Sequence, residues 1–334
     1  MAESRLIEAR SLARSFKTKG GTVEAVRGVD FEVRAGEIVG LLGPNGAGKT
    51  TTLRMLTTLL EPTSGGARVA GYDLQSQPRE VRRRIGYVAQ VGAAPSAGTL
   101  VGEELVTQAR LQGLSKADAR ARLVKVAPEL SLDGLERRAL QELSGGQRRR
   151  FDVALGLMHT PQLVFLDEPT TGLDPQSRAN LWEHIRRLRD EDGVTILLTT
   201  HYLDEADALA DRLLVMDEGR IVADDTSEAL KARISGDVIV LSVGDGAEPG
   251  SVEAVVREAV GVRKLHRGDG GLNITVDKGA VAVAPILRAL DAAAIEVEGV
   301  AVSRPTLDDV FLTLTGRSLR EGEAPAPTPE PLAS

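Results

Sequence analysis

The stretch IVGLLGPNGAGKTTTLRMLTTLL, Ile38 to Leu60, limits what this chain can fold into more than any other. It begins with a continuous apolar run of the kind a buried central strand shows, and it ends as a helix. Between the two, Gly43 to Thr50 fit the spacing G-x-x-x-x-G-K-[ST], placed where a phosphate-binding loop needs it, after a strand and before a helix. Glycines 43, 46 and 48 let backbone N–H groups turn inward around an anion, and the helix N-terminus adds its partial positive charge. Lys49 then serves the β- and γ-phosphates and Thr50 serves Mg²⁺. Gly43, Pro44, Asn45, Gly46, Ala47, Gly48, Lys49, Thr50 and Thr51 are the candidate nucleotide-binding residues, and a nucleoside triphosphate is the expected ligand.

A second apolar run, LVFLDEP at Leu163 to Pro169, ends in two acids. Packing explains such an end poorly, because a carboxylate there must be satisfied by a cation or by hydrogen bonds. Asp167 is the candidate for holding Mg²⁺. Glu168, one residue nearer the carboxyl rim of the sheet, is the candidate general base for an attacking water. His201 follows the run VTILLTT and is expected at the same rim.

The rest of the chain organises around these runs. The opening residues read as strands RLIEA and VRGVDFEV, with Val29, Phe31 and Val33 alternating. Residues 92–160 read as a charged helical insert, in phrases such as EELVTQARLQG and SKADARARLVKVAPEL. Near Ser235 the character changes. Residues 236–316 read strand VIVLSV, helix SVEAVVREAV, strands VRKLHR and LNITV, helix AVAPILRALDAA and strand IEVEGVAV, the split β-α-β order of a ferredoxin-like domain. A last helix opens at TLDD, where Thr306 and Asp309 have capping-box spacing. Residues 317–334 alternate proline with small and acidic residues and are expected to be disordered.

Composition removes several alternatives. The chain has no cysteine, which excludes disulfides, thiolate zinc sites and cysteine nucleophiles. The net charge of −7 argues against a nucleic-acid partner. No run approaches the ~18 apolar residues of a spanning helix, so the chain is expected neither to cross a membrane nor to be secreted by itself. The clusters Arg82 to Arg84 and Arg148 to Arg150 read as solvated helix faces.

The latter cluster closes the segment ELSGGQRRR, in which a serine and two glycines open a basic helix as if for a second phosphate site. Gly43 to Thr50, Gln90, LSGGQ at Leu143 to Gln147, LVFLDE, TGLD at Thr171 to Asp174 and His201 together resemble the ATP-binding cassette family closely, in order and spacing, over about Arg5 to Thr226. The resemblance implies an α/β P-loop NTPase of the ABC ATPase type. Its antiparallel β subdomain and helical insert would occupy residues 1–235, followed by the small α+β ferredoxin-like domain. It further implies Phe16 stacking on adenine, Gln90 reaching Mg²⁺ and the catalytic water, Asp174 signalling between subunits and His201 contacting the γ-phosphate. In this family two domains dimerise head to tail. Ser144, Gly145, Gly146 and Gln147 would then face the ATP of another copy, with Ser144 and the glycine N–H groups forming its second anion cradle.

The ending SRPTLDDVFLTLTGR, Ser303 to Arg317, resembles the daunorubicin-resistance branch of these subunits, antibiotic exporters with a separate membrane protein. That likeness implies an ATPase at the cytoplasmic face of the cell membrane, bound peripherally to a transmembrane permease. Export of lipid, polysaccharide or peptide is the alternative cargo reading. A cassette acting on nucleic acid or ribosomes is disfavoured by the single cassette and the lack of heptads. One phrase departs from the family: after Gln90 the chain reads VGAAPSAGTLVGEEL where an acidic residue and an LT-x-x-ENL phrase are usual.

Overall fold

A computed structural model of the chain describes residues 4–90, 98–233, 236–243, 249–268, 271–303 and 306–316. Two regions singled out above, the departure after Gln90 up to Ala97 and the proline-rich tail after Gly316, lie outside them. The chain divides into two compact units, Met1–Thr226 and Ser227–Ser334.

The first unit opens with a long hairpin, β1 (Arg5–Thr18) and β2 (Gly21–Arg34). The expected strand RLIEA covers only the first five residues of β1. The reason lies in the pairing register, which shifts between Ala9 and Leu12, again at Ala13, and between Arg14 and Ser15. Each shift breaks the period-2 alternation that identifies a strand. β3 (Ile38–Leu42) follows, buried at every residue, and leads through the phosphate loop into α1 (Lys49–Leu56). β4 (Ser64–Val69) and β5 (Tyr72–Asp73) complete the antiparallel sheet, in the order β2-β1-β4-β5. Next come α2 (Pro78–Arg82) and β6 (Ile85–Val88).

The helical insert consists of α3 (Val101–Leu111), α4 (Lys116–Glu129) and α5 (Gly145–Leu157). The chain then alternates through β7 (Leu163–Asp167), α6 (Pro175–Asp190), β8 (Thr195–Thr200), α7 (Leu203–Leu209) and β9 (Arg212–Asp217) before β10 (Arg220–Asp225). The resulting six-stranded sheet has the order β10-β9-β3-β8-β7-β6, parallel except for the edge strand β10.

The central strands β3, β7 and β8 are buried at every residue, covered on both faces of the sheet, which is why they read as continuous apolar runs. Val39, Leu41 and Phe165 pack with the hairpin and with Leu53 and Leu56 of α1. Ile38, Val164 and Leu166 pack on the opposite face with Phe151 and Leu157 of α5 and Leu181 and Ile185 of α6. Each such side chain contributes about 1.5–3 kcal/mol when fully buried, so the two layers fix the strands against one another. The consequence is a level rim. Leu42 of β3 pairs with Thr200 of β8, and Asp167 of β7 pairs with Thr199.

The second unit begins with α8 (Ser227–Arg233) and continues as β11 (Asp237–Val243), α9 (Pro249–Ala259), β12 (Val262–Gly268), β13 (Gly271–Val276), α10 (Gly279–Ala292) and β14 (Val297–Ser303). Its antiparallel sheet has the order β12-β13-β11-β14, the ferredoxin-like arrangement read from the sequence. Ile239, Leu241, Val252, Val256, Ile274 and Leu290 form its core. The last helix, α11 (Leu307–Thr315), carries the expected box: Thr306 N donates to Asp309 Oδ2 at 2.8 Å and Asp309 N to Thr306 Oγ1 at 3.3 Å.

Candidate functional site

The phosphate loop needs glycine for two different reasons. A Cβ on Gly43 would stand 2.1 Å from the carbonyl oxygen of Met216, so the strand end admits no side chain. Gly48 has φ +104°, in the left-handed region, and its Cβ would meet Ala25 O at 2.4 Å. The loop so formed wraps Lys49, which is 4% exposed and donates to Gly43 O at 2.7 Å and Pro44 O at 3.0 Å. Burial pulls this ammonium below its ordinary value, against the opposing pull of Glu168 and Asp167. The first turn of α1 contains no acidic residue, so the positive end of the helix is not offset.

Across the level rim, Asp167 Oδ1 accepts from Thr50 Oγ1 at 2.9 Å and from Thr199 Oγ1 at 2.7 Å. Asp167 Oδ2 is buried and accepts no well-formed hydrogen bond. Thr50, Asp167 and the Gln90 amide oxygen are all oxygen donors, a set that suits a hard cation such as Mg²⁺. No cluster of three or more His, Cys, Asp or Glu exists among the described residues. A cation here would therefore complete its shell from phosphate and water oxygens.

Glu168 is the hub. Its carboxylate accepts from Gln90 Nε2 at 2.8 Å and from Thr171 Oγ1 at 3.2 Å. Lys49 Nζ lies 3.7 Å away, and His201 Nδ1 lies 3.3 Å away without hydrogen-bond alignment. Burial pushes the Glu168 carboxyl up, but the His201 ring, Lys49 and Thr171 outweigh it and hold the group below its ordinary value. Its backbone is also unusual, with φ +45° in a non-glycine residue. Such a conformation costs on the order of 1 kcal/mol or more and persists where surrounding contacts impose it. Here they do: Glu168 N donates to Thr199 Oγ1 at 3.0 Å.

Phe16, Ser144 and Asp174 lie outside this hydrogen-bonded cluster. Phe16 is half-buried on β1 with the Arg14 guanidinium 4.8 Å from its ring centre. Ser144 caps α5 in a full capping box, accepting from Gln147 N at 3.2 Å while Gln147 Oε1 accepts from Ser144 N at 3.0 Å. Gly145 and Gly146 then divide their labour. A Cβ on Gly145 would meet nothing within 4 Å, whereas one on Gly146 would strike Ser177 Oγ at 2.6 Å. Ser177 is held in turn by Asp174, which caps α6 and accepts from Ser177 N at 2.9 Å.

A family model described as ABC transporter matches residues 26–171, and one described as the C-terminal domain of DrrA1-3-like ATP-binding proteins matches residues 226–315. The daunorubicin/doxorubicin resistance ATP-binding protein DrrA of Streptomyces peucetius is 43% identical over 318 residues, 94% of this chain and 93% of that one. This chain belongs to the ABC transporter ATP-binding proteins, in their DrrA-like branch. It is an ATP-binding, ATP-hydrolysing subunit of the ABC transporter type. Another relative, the Nod factor export ATP-binding protein I of Burkholderia orbicola, is 39% identical over 320 residues and is covered to 97% of its length. Among solved structures, the cbiO1 subunit from Clostridium perfringens is 26% identical, with a TM-score of 0.61 over 69% of this chain and 92% of that one.

Within this ABC subunit the structure departs from the sequence reading at one basic run. Arg82, Arg83 and Arg84 do form a solvated face, with Arg83 and Arg84 paired to Glu80 at 3.1 and 2.8 Å. Arg148 is partly buried against Asp152 at 3.3 Å. Arg149 is only 7% exposed and turns into the protein, so the run is not a uniformly solvated face. Thr199 and Thr171 hold the two acids; Thr199 belongs to no motif in the sequence, and Thr171 enters only as the first residue of TGLD, with no role of its own. The available signal for Arg149 was its spacing from Gly146 and Val153, which puts it on the buried stripe of α5.

Proposed function

We propose that this ABC subunit closes head to tail with a second copy around two ATP molecules and drives export of a drug or secondary metabolite through a separate permease. The observation that carries the chemistry is the convergence of Gln90, Thr171, His201 and Lys49 on the Glu168 carboxylate, all within 3.7 Å. In this reading Lys49 exchanges the carbonyls of Gly43 and Pro44 for β- and γ-phosphate oxygens. Gln90 and His201 hold Glu168 facing the attacking water. Glu168 takes the water's proton as its oxygen bonds to the γ-phosphorus and the bond to the ADP oxygen breaks. Thr50, Asp167 and Gln90 would hold Mg²⁺, which would neutralise charge on the phosphates.

The second half of each site comes from the other copy. Ser144 Oγ already accepts from Gln147 N, which leaves its hydroxyl hydrogen to donate outward. The N–H groups of Gly145 and Gly146, at the start of α5, supply the remaining donors to the other copy's γ-phosphate. Gln147 is occupied by its cap, so it orients this cradle. Phe16 stacks on adenine, and Asp174 relays closure through Ser177 to Gly146.

The chain is assigned to the cytoplasmic face of the membrane through its permease. No described helix is long and apolar enough to cross a bilayer. The resistance-type relative favours a drug cargo. The Nod factor export relative keeps the second reading open, a lipid, polysaccharide or peptide cargo in place of a drug, because the cargo is recognised by the permease.

Two measurements test this. Glu168→Gln is expected to bind ATP with unchanged affinity, to lose at least about 10²-fold in kcat and to form an ATP-dependent dimer on gel filtration. A monomer with full activity overturns both assignments. In inverted vesicles containing the permease, an anthracycline is expected to stimulate ATPase and to accumulate; stimulation by an acylated oligosaccharide alone supports the second cargo.

A further inference from the structure

Arg149 is a buried cation whose guanidinium hydrogen bonds all go to backbone carbonyls. Nε donates to Pro169 O at 2.6 Å, Nη1 to Ala89 O at 2.6 Å and Gln90 O at 3.4 Å, and Nη2 to Asp167 O at 3.0 Å and Glu168 O at 3.3 Å. No ion pair to it exists among the described residues. Burying a charge this way carries a large desolvation penalty. A leucine or methionine at the same point of the buried stripe would pack without it. The arrangement therefore has to be explained by what the five donors reach.

They reach two backbone segments and no others. One is the exit of β6 at Ala89 and Gln90, and the other is the exit of β7 at Asp167, Glu168 and Pro169. The side chains of these same segments meet where Gln90 Nε2 donates to Glu168 Oε2 at 2.8 Å. Nη2 also holds the carbonyl of the residue with φ +45°. A planar, five-donor fork matches such a fan of carbonyls, whereas an ammonium with three donors on a point does not. Arg149 is also five residues beyond the Ser144 cap on α5, so one rigid helix joins the outward cradle to this fan.

We propose that Arg149 is a positioning residue that holds Gln90 and Glu168 in hydrolytic register and ties that register to the signature helix α5. The proposal rests on the roles of Gln90 and Glu168 given above. Arg149 acts through these two segments, whose carbonyls accept all of its hydrogen bonds. It sets the relative position of the two backbone segments that present the base and its amide partner, and any shift of α5 on closure is passed to them through its donors. A displacement of about 1 Å at such a pair lowers turnover by ~10²-fold while leaving ground-state binding intact.

The test uses full-length protein with its permease. Arg149→Lys keeps the charge, and Arg149→Gln removes the desolvation penalty should the lysine variant not fold. Each variant is scored once it melts cooperatively, by ATP affinity and by kcat. The expected result is a loss of about 10²-fold in kcat with ATP affinity within about threefold of the parent. In a Glu168→Gln background, either substitution is expected to slow residual hydrolysis no further, because the register it disturbs has lost its base. A folded variant with kcat within about threefold of the parent, or an equal loss in affinity and kcat, overturns the proposal. If Glu168→Gln itself turns over at the parental rate, the site reading fails instead, whatever Arg149 does.

Discussion

Gln90 Nε2 donates to Glu168 Oε2 at 2.8 Å, although the two residues are 78 positions apart in sequence and sit at the ends of adjacent parallel strands, β6 and β7. The bond uses the amide's donor side and leaves its oxygen for a cation or a water. It therefore fixes the orientation of both groups at once. It also places the base beside Lys49, so these two ionisable groups perturb each other.

That mutual perturbation gives a pH signature. Glu168 lies below its ordinary value, so it is ionised through the neutral range and limits activity only on the acid side. Lys49 lies below its ordinary 10.5, chiefly through burial. Because kcat/KM reports the free enzyme, its alkaline limb is expected below 10.5. Bound phosphates favour the charged ammonium, so the alkaline limb of kcat is expected at higher pH than that of kcat/KM. ATPase profiles over the stable range check this, and coincident limbs count against Lys49 as the titrating group.

Composite sites predict complementation. Ser144→Arg spoils the cradle a subunit offers outward, and Lys49→Ala spoils the loop it keeps. In a head-to-tail heterodimer of the two, both lesions fall in one site and the other is intact. Each variant alone is expected to be inactive, and an equimolar mixture to recover about a quarter of parental ATPase, half the dimers being mixed and half their sites sound. A Glu168→Gln background adds a second readout, one trapped ATP per mixed dimer. Mixtures that neither hydrolyse nor trap ATP argue against sites shared between copies.

The parts legible in the sequence were those in which one residue type had a single physical use. An acid closing an apolar strand had to mean a cation or hydrogen bonds, and Asp167 meets Thr50 and Thr199. The order of apolar runs after residue 236 sufficed for the ferredoxin-like unit. The illegible parts had two uses for the same letters. Three consecutive arginines look alike, and only helical geometry separates Arg149 from Arg148 and Arg150. Threonines suit a strand whether or not they bind an acid, so Thr199 passed as ordinary. The bulges of β1 erased its alternation, and the left-handed φ of Glu168 leaves no trace in composition.

Glu205 provides a stability test away from the chemistry. It is 0% exposed on α7; Oε1 accepts from Thr170 Oγ1 at 2.8 Å and Trp182 Nε1 at 3.2 Å, while Oε2 has no partner. Burial raises its carboxyl above the ordinary 4.5, and the neighbouring Thr200, Thr170 and Trp182 side chains oppose that only in part. A raised folded value means the folded state binds the proton more readily than the unfolded chain. The contribution is therefore fully present below about pH 4.5 and is lost as pH rises through the folded value. Glu205→Gln keeps the acceptor oxygen and removes the charge. Urea unfolding is expected to find it close to the parent near ~pH 5 and more stable than the parent near ~pH 9, with the parent's slope reduced. Glu205→Ala instead abandons two donors and opens a cavity, a loss of about 2–4 kcal/mol at either pH. Equal slopes in the parent and Glu205→Gln would show that the proton taken up on folding belongs elsewhere.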